Sequence, residues 1–465
     1  VFRFTFNYRI ICVLLTGQLS LPLFAHSDGP EGKWKPASYP SALAHAPLPL
    51  PDRVVLTWAG DPANSQAVTW RTDTSIVRAV AEIAIAGNYG PKMKARGVPA
   101  STEPFTSDIG EAHYHSVNFT NLKPATLYAY RVGDGVNWTE WFHFRTASKE
   151  ELPFSFIYFG DAQTDLKTHW SRVFREAFRD APRAAFTLHA GDLINRANRD
   201  VEWGEWFGAP AWVNATIPVV PSPGNHEHFV DEDNHKARTL TRHWRPQFTL
   251  PVQNPPAGLE ETCYFFDYQG ARIISLDSNK KQSEQVAWLR GVLSRDPRRW
   301  TIVTFHHPIF SPAKNRDNPT LRELWKPVFD EFKVDLVLTG HDHTYARSGD
   351  VSAKVGIHNL PSGYSQSYDP KIGTVYVVSV SGPKMYPPDP SRNTFAVRVA
   401  KDTQLYQIVH VTAEELRYEA RTATGERYDA FMLKKRAGKP NELMEVLPQG
   451  NRMIDRLPRA ERSGN

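Results

Sequence analysis

At 465 residues, 41% of them hydrophobic and 23% charged, the chain is too long for one core and has the composition of a soluble protein of about two domains. Its formal net charge of +5 is small for this length and the cations are mixed with acids, which argues against a nucleic-acid partner. Thirteen tryptophans and 36 prolines point to a large core joined by long, ordered loops.

Arg3 and Arg9 precede the apolar segment IICVLLTGQLSLPLFA, which gives way to HSDGPEGKW. That order predicts a signal peptide over 1–27, cleaved near Ala25 to Ser27, and hence a secreted or periplasmic protein. Gly17, Gln18, Ser20 and Pro22 make the run poor as a membrane span, so no stable insertion is expected after cleavage. Removing Cys12 leaves Cys263 as the sole cysteine, so no internal disulfide can form. The Asn-x-Thr sequons at Asn118, Asn137 and Asn214 read as chance occurrences.

Residues 28–50 form an irregular leader rich in Pro, Ala and Ser. From 51 to 147 short alternating runs follow one another, among them RVVLTWAG, QAVTWRT, AVAEIAIAG and TLYAYRVG, and no helical period interrupts them. This predicts an all-β sandwich. The segment NLKPATLYAYRVG, with Tyr128 and Tyr130 alternating after a turn, is similar to the corresponding part of a fibronectin type III domain.

The polar linker TASKEELP (146–153) separates this region from a different pattern. Strands are predicted at 154–159, 184–190, 217–220, 301–305, 334–340 and 374–381, with a hairpin at 263–277 turning near Gly270. Helices are predicted at 164–179, 283–294 and near 320–331. Alternating strands and helices imply an α/β domain over 154–411, layered α/β/β/α. Residues 412–465 read as a C-terminal extension that starts with a strand and turns polar after 434.

Five of the predicted strands end in polar groups just before a loop. FIYFGDAQ delivers Asp161; FTLHAGDLIN delivers Asp192; VVPSPGNHE delivers Asn225, His226 and Glu227; IVTFHHP delivers His306 and His307; LVLTGHDH delivers His341, Asp342 and His343. Ligands of α/β sheets gather beyond the carboxyl ends of strands, so these groups can converge. Two carboxylates, an amide oxygen and three imidazoles form a mixed N/O set suited to Fe, Mn or Zn. One aspartate can bridge two ions, and such a pair can bind both non-bridging oxygens of a phosphate and supply a hydroxide for in-line attack. The glycines before Asp161, Asp192, Asn225 and His341 are expected to allow sharp turns out of the strands. A lone GD is ordinarily a turn or helix cap; the ordered set GD, GD, GNHE, HHP, GHDH is not explained by packing.

This ordered set resembles the calcineurin-like metallophosphoesterase superfamily, and the preceding β-sandwich narrows the resemblance to purple acid phosphatases and their bacterial secreted relatives. The resemblance implies that Asp161 and His343 bind a first metal ion, that Asp192 bridges, and that Asn225, His306 and His341 bind a second. Within FHHP it makes His306 the ligand and His307 the looser neighbour. It makes His226 the group that orients the substrate or protonates the leaving oxygen.

Two positions depart from the family pattern. Asn195 stands where purple acid phosphatases carry a tyrosinate, and Gln163 stands where other members of the superfamily carry a histidine. Each can offer an amide oxygen or a hydrogen bond.

Other residues have narrower readings. Trp203, Trp206 and Phe207 are candidates for pocket wall or core, and Arg347 for a structural carboxylate or a phosphate. Asp277 is read as a cap or as a group supporting the metal ligands, and Lys314, Arg316 and Asp317 as loop candidates for substrate contact. The function expected is a metal-dependent hydrolase of small phosphate monoesters. The alternatives are a phosphodiesterase with the same dinuclear centre and a catalytically weak binding protein.

Overall fold

The structure is a computed structural model that describes residues 39–230, 238–348, 374–389, 396–400, 402–436 and 441–446; the expected signal peptide lies outside them. The short helix Ser41–Ala44 belongs to an N-terminal unit, and a second unit, which carries both sheet domains, begins at His45. Among the described residues no helix is long and apolar enough to cross a membrane.

The alternating runs after residue 51 form two four-stranded antiparallel sheets. One has the order Asp52–Thr57, Gln66–Thr72, Gly110–Phe119, Ser101–Ser107; the other has Arg96–Pro99, Val80–Ile85, Leu127–Gly133, Phe142–Arg145. Leu56, Val68, Trp70, Ile83, Val117, Tyr130 and Phe144 fill the space between them. The two alternating tyrosines do different jobs. The Lys123 N–H donates to the Tyr128 hydroxyl at 2.8 Å, pinning the turn before the strand, whereas the Tyr130 hydroxyl donates to the Ala215 carbonyl at 2.6 Å, outside the sandwich.

A buried ion-pair hub makes a second link. Asp200 opens the helix Asp200–Gly208 and accepts both Arg53 terminal nitrogens, at 2.8 and 2.7 Å, and Arg71 at 3.1 Å. This helix is absent from the elements predicted from sequence. Its Trp203, Trp206 and Phe207 are buried against Trp170, His189 and Phe248, so they are core rather than pocket wall.

Residues 154–446 build two seven-stranded mixed sheets. The first has the order Val219–Pro221, Thr187–His189, Phe154–Phe159, Leu405–Val411, Glu415–Thr422, Arg427–Lys434, Glu442–Glu445. Its last three strands fall after residue 411, so the region read as an extension continues this sheet. The second has the order Tyr264–Tyr268, Ala271–Ser275, Trp300–Thr304, Leu336–Thr339, Val375–Val378, Tyr345–Ser348, Ala396–Ala400. Strand period 2 divides its side chains between two cores. Ile302, Leu336, Leu338, Val375 and Val377 share a core with Phe156, Tyr158 and Val409 of the first sheet. Val303, Val337, Tyr376 and Val378 instead pack with Leu289, Leu293, Trp325 and Phe329 of helices Gln285–Ser294 and Pro319–Glu331. On the far side, Phe159 stacks on Phe174 of helix Ser171–Asp180. The layers are helix, sheet, sheet, helix, as the strand and helix order implies.

In both sheets the strands that matter for the site are parallel: 154–159, 187–189 and 219–221 in one, 300–304 and 336–339 in the other. Their carboxyl ends lie together, and the five polar clusters follow them.

Candidate metal centre

Asp161 follows Phe154–Phe159 and is fully buried. Its Oδ1 accepts the His341 N–H at 2.6 Å, while Oδ2 has no hydrogen-bond donor and lies 3.0 Å from His343 Nε2. The His343 Nδ1–H donates to the Lys384 carbonyl at 2.8 Å, which turns the Nε2 lone pair inwards.

Asp192 is also buried, in the left-handed region at φ 53°. One of its oxygens accepts the His226 N–H at 2.8 Å; the other lies 3.2 Å from His306 Nε2. Beside it, Asn225 Oδ1 is 3.0 Å from His306 Nε2 and 2.8 Å from His341 Nδ1, and those two nitrogens are 3.1 Å apart. His306 Nδ1 is occupied by the Ala190 carbonyl at 3.0 Å, so its Nε2 faces this group. Oxygen and nitrogen ligands of a first-row ion at about 2.1 Å stand about 3 Å from one another, which is the spacing observed. Asp161, Asp192 and His306 form one group able to hold an ion, and His306, His307 and His341 another. The two groups share His306 and together suit a dinuclear metal centre.

His307, the looser neighbour in the sequence pattern, packs 4.1 Å from the His341 ring, and its Nδ1 shares a hydrogen bond with Ser278 Oγ at 2.9 Å. Burial lowers the His307 and His341 imidazoles far below the usual range, and neighbouring cations add to this. Burial opposes a charge on His306 too, but Asp192 and Asp161 outweigh it and raise that imidazole to about 9. Asp192 is held below the usual carboxylate range: burial opposes this, and His306 and His226 prevail. Both results describe a site that attracts positive charge.

Glycine acts here mainly by allowing close approach, and only Gly191, at φ 86°, supplies the expected left-handed turn. A Cβ on Gly224 would lie 2.1 Å from Asp192 Oδ1, and one on Gly340 would lie 2.2 Å from Asp161 Oδ1. The turns themselves fall on the ligand residues, since His341 and His343 also have positive φ, at 73° and 47°.

Glu227 has no task in the sequence pattern, and the structure supplies one. It is fully buried and accepts four backbone N–H groups: Gly224 at 2.6 Å, Asp192 and Leu193 at 2.8 Å, and Ile194 at 3.4 Å. It therefore clamps the Asp192 loop to the Asn225 turn. Glu202 does the same one step further along, accepting Asn195 N–H at 2.9 Å and Arg196 N–H at 2.8 Å. The Asn195 carbonyl in turn accepts the His226 Nδ1–H at 2.5 Å, leaving His226 half-buried with Nε2 4.0 Å from Asp192 Oδ2. Gln163 is fully buried, with its amide nitrogen 2.5 Å from Asp192 Oδ2 and 3.3 Å from His343 Nε2.

The remaining candidates separate cleanly. Arg347 makes two bonds to Asp429, at 2.7 and 3.0 Å, deep in the core, so it holds a structural carboxylate. Asp277 caps its own turn through the Asn279 N–H at 2.9 Å. Asp317 pairs with Arg322 at 2.8 Å, and Lys314 is exposed. Arg316 instead reaches the centre's edge, donating to Asp342 Oδ1 at 3.0 Å and to the His341 carbonyl at 2.7 Å. Asn214 is buried, so its sequon offers no glycan site in the folded chain.

Residues 154–345 match the calcineurin-like phosphoesterase family, and residues 51–146 match the N-terminal domain of purple acid phosphatase. The chain belongs to the calcineurin-like metallophosphoesterase superfamily, in its purple-acid-phosphatase-like part. It is 27% identical to human acid phosphatase type 7 over 336 residues, which covers 65% of this chain and 72% of that protein. It is 28% identical to a purple acid phosphatase of Glycine max over 313 residues, covering 63% of this chain and 65% of that one. The solved purple acid phosphatase PPD1 of yellow lupin shares the fold, with a TM-score of 0.69 at 18% identity over 83% of this chain and 75% of its own. The chain is thus a metallophosphoesterase, and its candidate centre lies at the carboxyl ends of strands from two facing sheets.

Proposed function

We propose that this metallophosphoesterase hydrolyses phosphate monoesters and that it is exported by its N-terminal segment. In this reading Asp161 and His343 would hold one cation, Asn225, His306 and His341 would hold the second, and Asp192 would serve both. When bound, the two cations supply Lewis-acid polarisation of the phosphoryl oxygens and an activated water. Fe, Mn and Zn all suit the donors.

The observation that carries the reading is the meeting of this donor set with a positioned imidazole. The Asn195 carbonyl occupies His226 Nδ1, so Nε2 is the atom left to face the substrate. From there it can hold a phosphoryl oxygen or protonate the departing alkoxide. The relatives named above are acid phosphatases, which favours monoesters over diesters. Asn195 replaces the tyrosinate of the purple enzymes and provides no phenolate, so the protein loaded with Fe(III) is expected to lack an intense visible charge-transfer band.

The test is turnover of p-nitrophenyl phosphate against bis(p-nitrophenyl) phosphate by the protein loaded in turn with Fe, Mn and Zn. Monoester turnover lost in Asp192→Asn is the expected result. Preference for the diester, or no turnover with any of the three metals, overturns the proposal.

A further inference from the structure

One wall of the centre has no part in holding cations or in protonating a leaving group. It is built from the segment after strand Val375–Val378 and from the loop carrying Arg316. The Tyr386 ring lies 4.6 Å from the His343 ring, and the contact is locked from both sides: Tyr386 N–H donates to the His343 carbonyl at 3.0 Å, and His343 Nδ1–H donates to the Lys384 carbonyl at 2.8 Å. Two cations flank this ring, with the Arg316 guanidinium 5.0 Å and the Lys384 ammonium 5.6 Å from its centroid.

Among the described residues one carboxylate, that of Asp342, bonds to this pair. Arg316 spends Nε on Asp342 Oδ1 and Nη2 on the His341 carbonyl, which fixes the guanidinium plane and leaves Nη1 without a bond among the described residues. Lys384 has no carboxylate partner among the described residues. The Arg316 side chain is 26% exposed, and Tyr386 and Lys384 are half-buried, so the group reaches solvent while staying fixed. The ring and Asp342 offset part of the repulsion between the two cations, and a bound anion would offset more of it. An aromatic edge and a pre-oriented guanidinium are suited to a carboxylate or phosphate.

Position then limits which anion this is. Tyr386 packs on the His343 ring and Arg316 bonds the His341 carbonyl, so the group borders the metal-binding atoms. A group seated on Arg316 and Lys384 would therefore lie beside His341 and His343, at the border of the centre. Neither cation belongs to the proposed metal-binding set, and that position suits a substituent a few bonds into the leaving group.

We propose that Arg316, Lys384 and Tyr386 form a subsite for a second anionic group on the leaving part of the ester, so that the preferred substrates are phosphomonoesters bearing a further phosphate or carboxylate. The inference rests on the monoesterase reading and specifies its substrate class. It is tested by calorimetric titration of the metal-loaded protein with two phosphonates of equal length, 3-phosphonopropionate and propylphosphonate.

The carboxylate-bearing probe is expected to bind about tenfold more tightly, the effect of roughly one charge-assisted contact. The ratio is expected to fall towards one in Lys384→Met, to recover in Lys384→Arg, and to shrink with added salt. Equal binding of the two probes by the wild type, or a ratio unchanged in Lys384→Met, overturns the subsite. Binding of both probes without turnover of any monoester counts against the phosphatase reading alone. Turnover of monoesters with no preference between the probes counts against the subsite alone, and a protein that binds neither probe overturns both.

Discussion

Glu227 is the sharpest test of how the centre is held, because its task is positional and it touches no substrate. Its Oε2 accepts Gly224 and Asp192 N–H at 2.6 and 2.8 Å; its Oε1 accepts Leu193 and Ile194 N–H at 2.8 and 3.4 Å. Glu227→Gln keeps the shape but turns one oxygen into a donor, so whichever way the amide settles, two backbone N–H groups face an NH2. Burial and the Asp192 charge oppose ionisation and raise the Glu227 carboxyl to about 8; in its ionised form each hydrogen bond contributes about 1.5–3 kcal/mol, so the gross loss is at most roughly 3–6 kcal/mol. Removing a buried negative charge beside Asp192 offsets part of this. A net cost of about 1.4–2.8 kcal/mol, felt as a displaced Asp192, corresponds to 10–100-fold weaker metal binding, the range usual for groups that orient ligands. The assay is calorimetric titration of the chelator-stripped variant with Mn or Zn, beside its thermal melt without metal. Two-ion stoichiometry with wild-type affinities in Glu227→Gln would refute the claim that this carboxylate sets the bridge.

The remaining predictions concern neighbouring links. His226→Ala should lower kcat by about 10²–10⁴ while metal content stays at the wild-type level, and the loss should be larger for alkyl esters than for p-nitrophenyl phosphate. A loss of metal in that variant would place His226 among the ligands instead. Gly340→Ala brings a Cβ to 2.2 Å from Asp161 Oδ1, so metal analysis should show one ion missing and the other retained; two retained ions would mean the loop moves freely. Asp200→Asn strands Arg53, since Arg71 keeps Asp52 at 2.6 Å, and should cost about 3–5 kcal/mol of stability in a denaturant melt. Burial opposes the Asp200 charge, but His243, Arg53 and Arg71 prevail and hold its carboxyl below the ordinary 3.8. Its contribution is therefore present above about pH 4 and fades as the pH falls, so the gap between wild type and variant should narrow in acid. A gap that is constant down to pH 2 would remove the ion pair from the account.

The clusters at strand ends were legible in the sequence for a physical reason. A buried parallel strand is a near-continuous apolar run, and polar residues at its carboxyl end are conspicuous because nothing in the strand itself calls for them. GD, GNHE and GHDH therefore mark the sheet edge and the chemistry together. Layering was legible because Ile302, Val303, Leu336 and Val337 alternate between two apolar environments, which a sheet covered on both faces requires. The clamp was not legible, since Glu227 and Glu202 act on backbone N–H groups of loops, and backbone donors leave no trace in side-chain patterning. The Arg316 and Lys384 wall was half visible. A cation in a loop after a ligand strand invites attention, but its partner arrives 68 residues later, on a segment whose sequence carries no signal of where it folds.

Asn195 shows why the departure at the tyrosinate position does not by itself weaken the catalytic reading. Judged from its side chain, the residue subtracts a ligand. The peptide group joining it to Arg196, however, is held by Glu202 at the Arg196 N–H and holds His226 at the Asn195 carbonyl. A peptide group held at both ends fixes an imidazole regardless of which side chain it bears. On the proposed mechanism the substitution would alter what one cation site binds, while His226, the proposed acid–base group, keeps its support. The two effects separate experimentally. Asn195→Tyr should add an absorption band under Fe(III) loading and leave the pH profile of kcat in place, whereas Glu202→Gln should move the profile and add no band. A pH profile shifted by Asn195→Tyr as far as by Glu202→Gln would mean that the side chain, and not the peptide, supports His226.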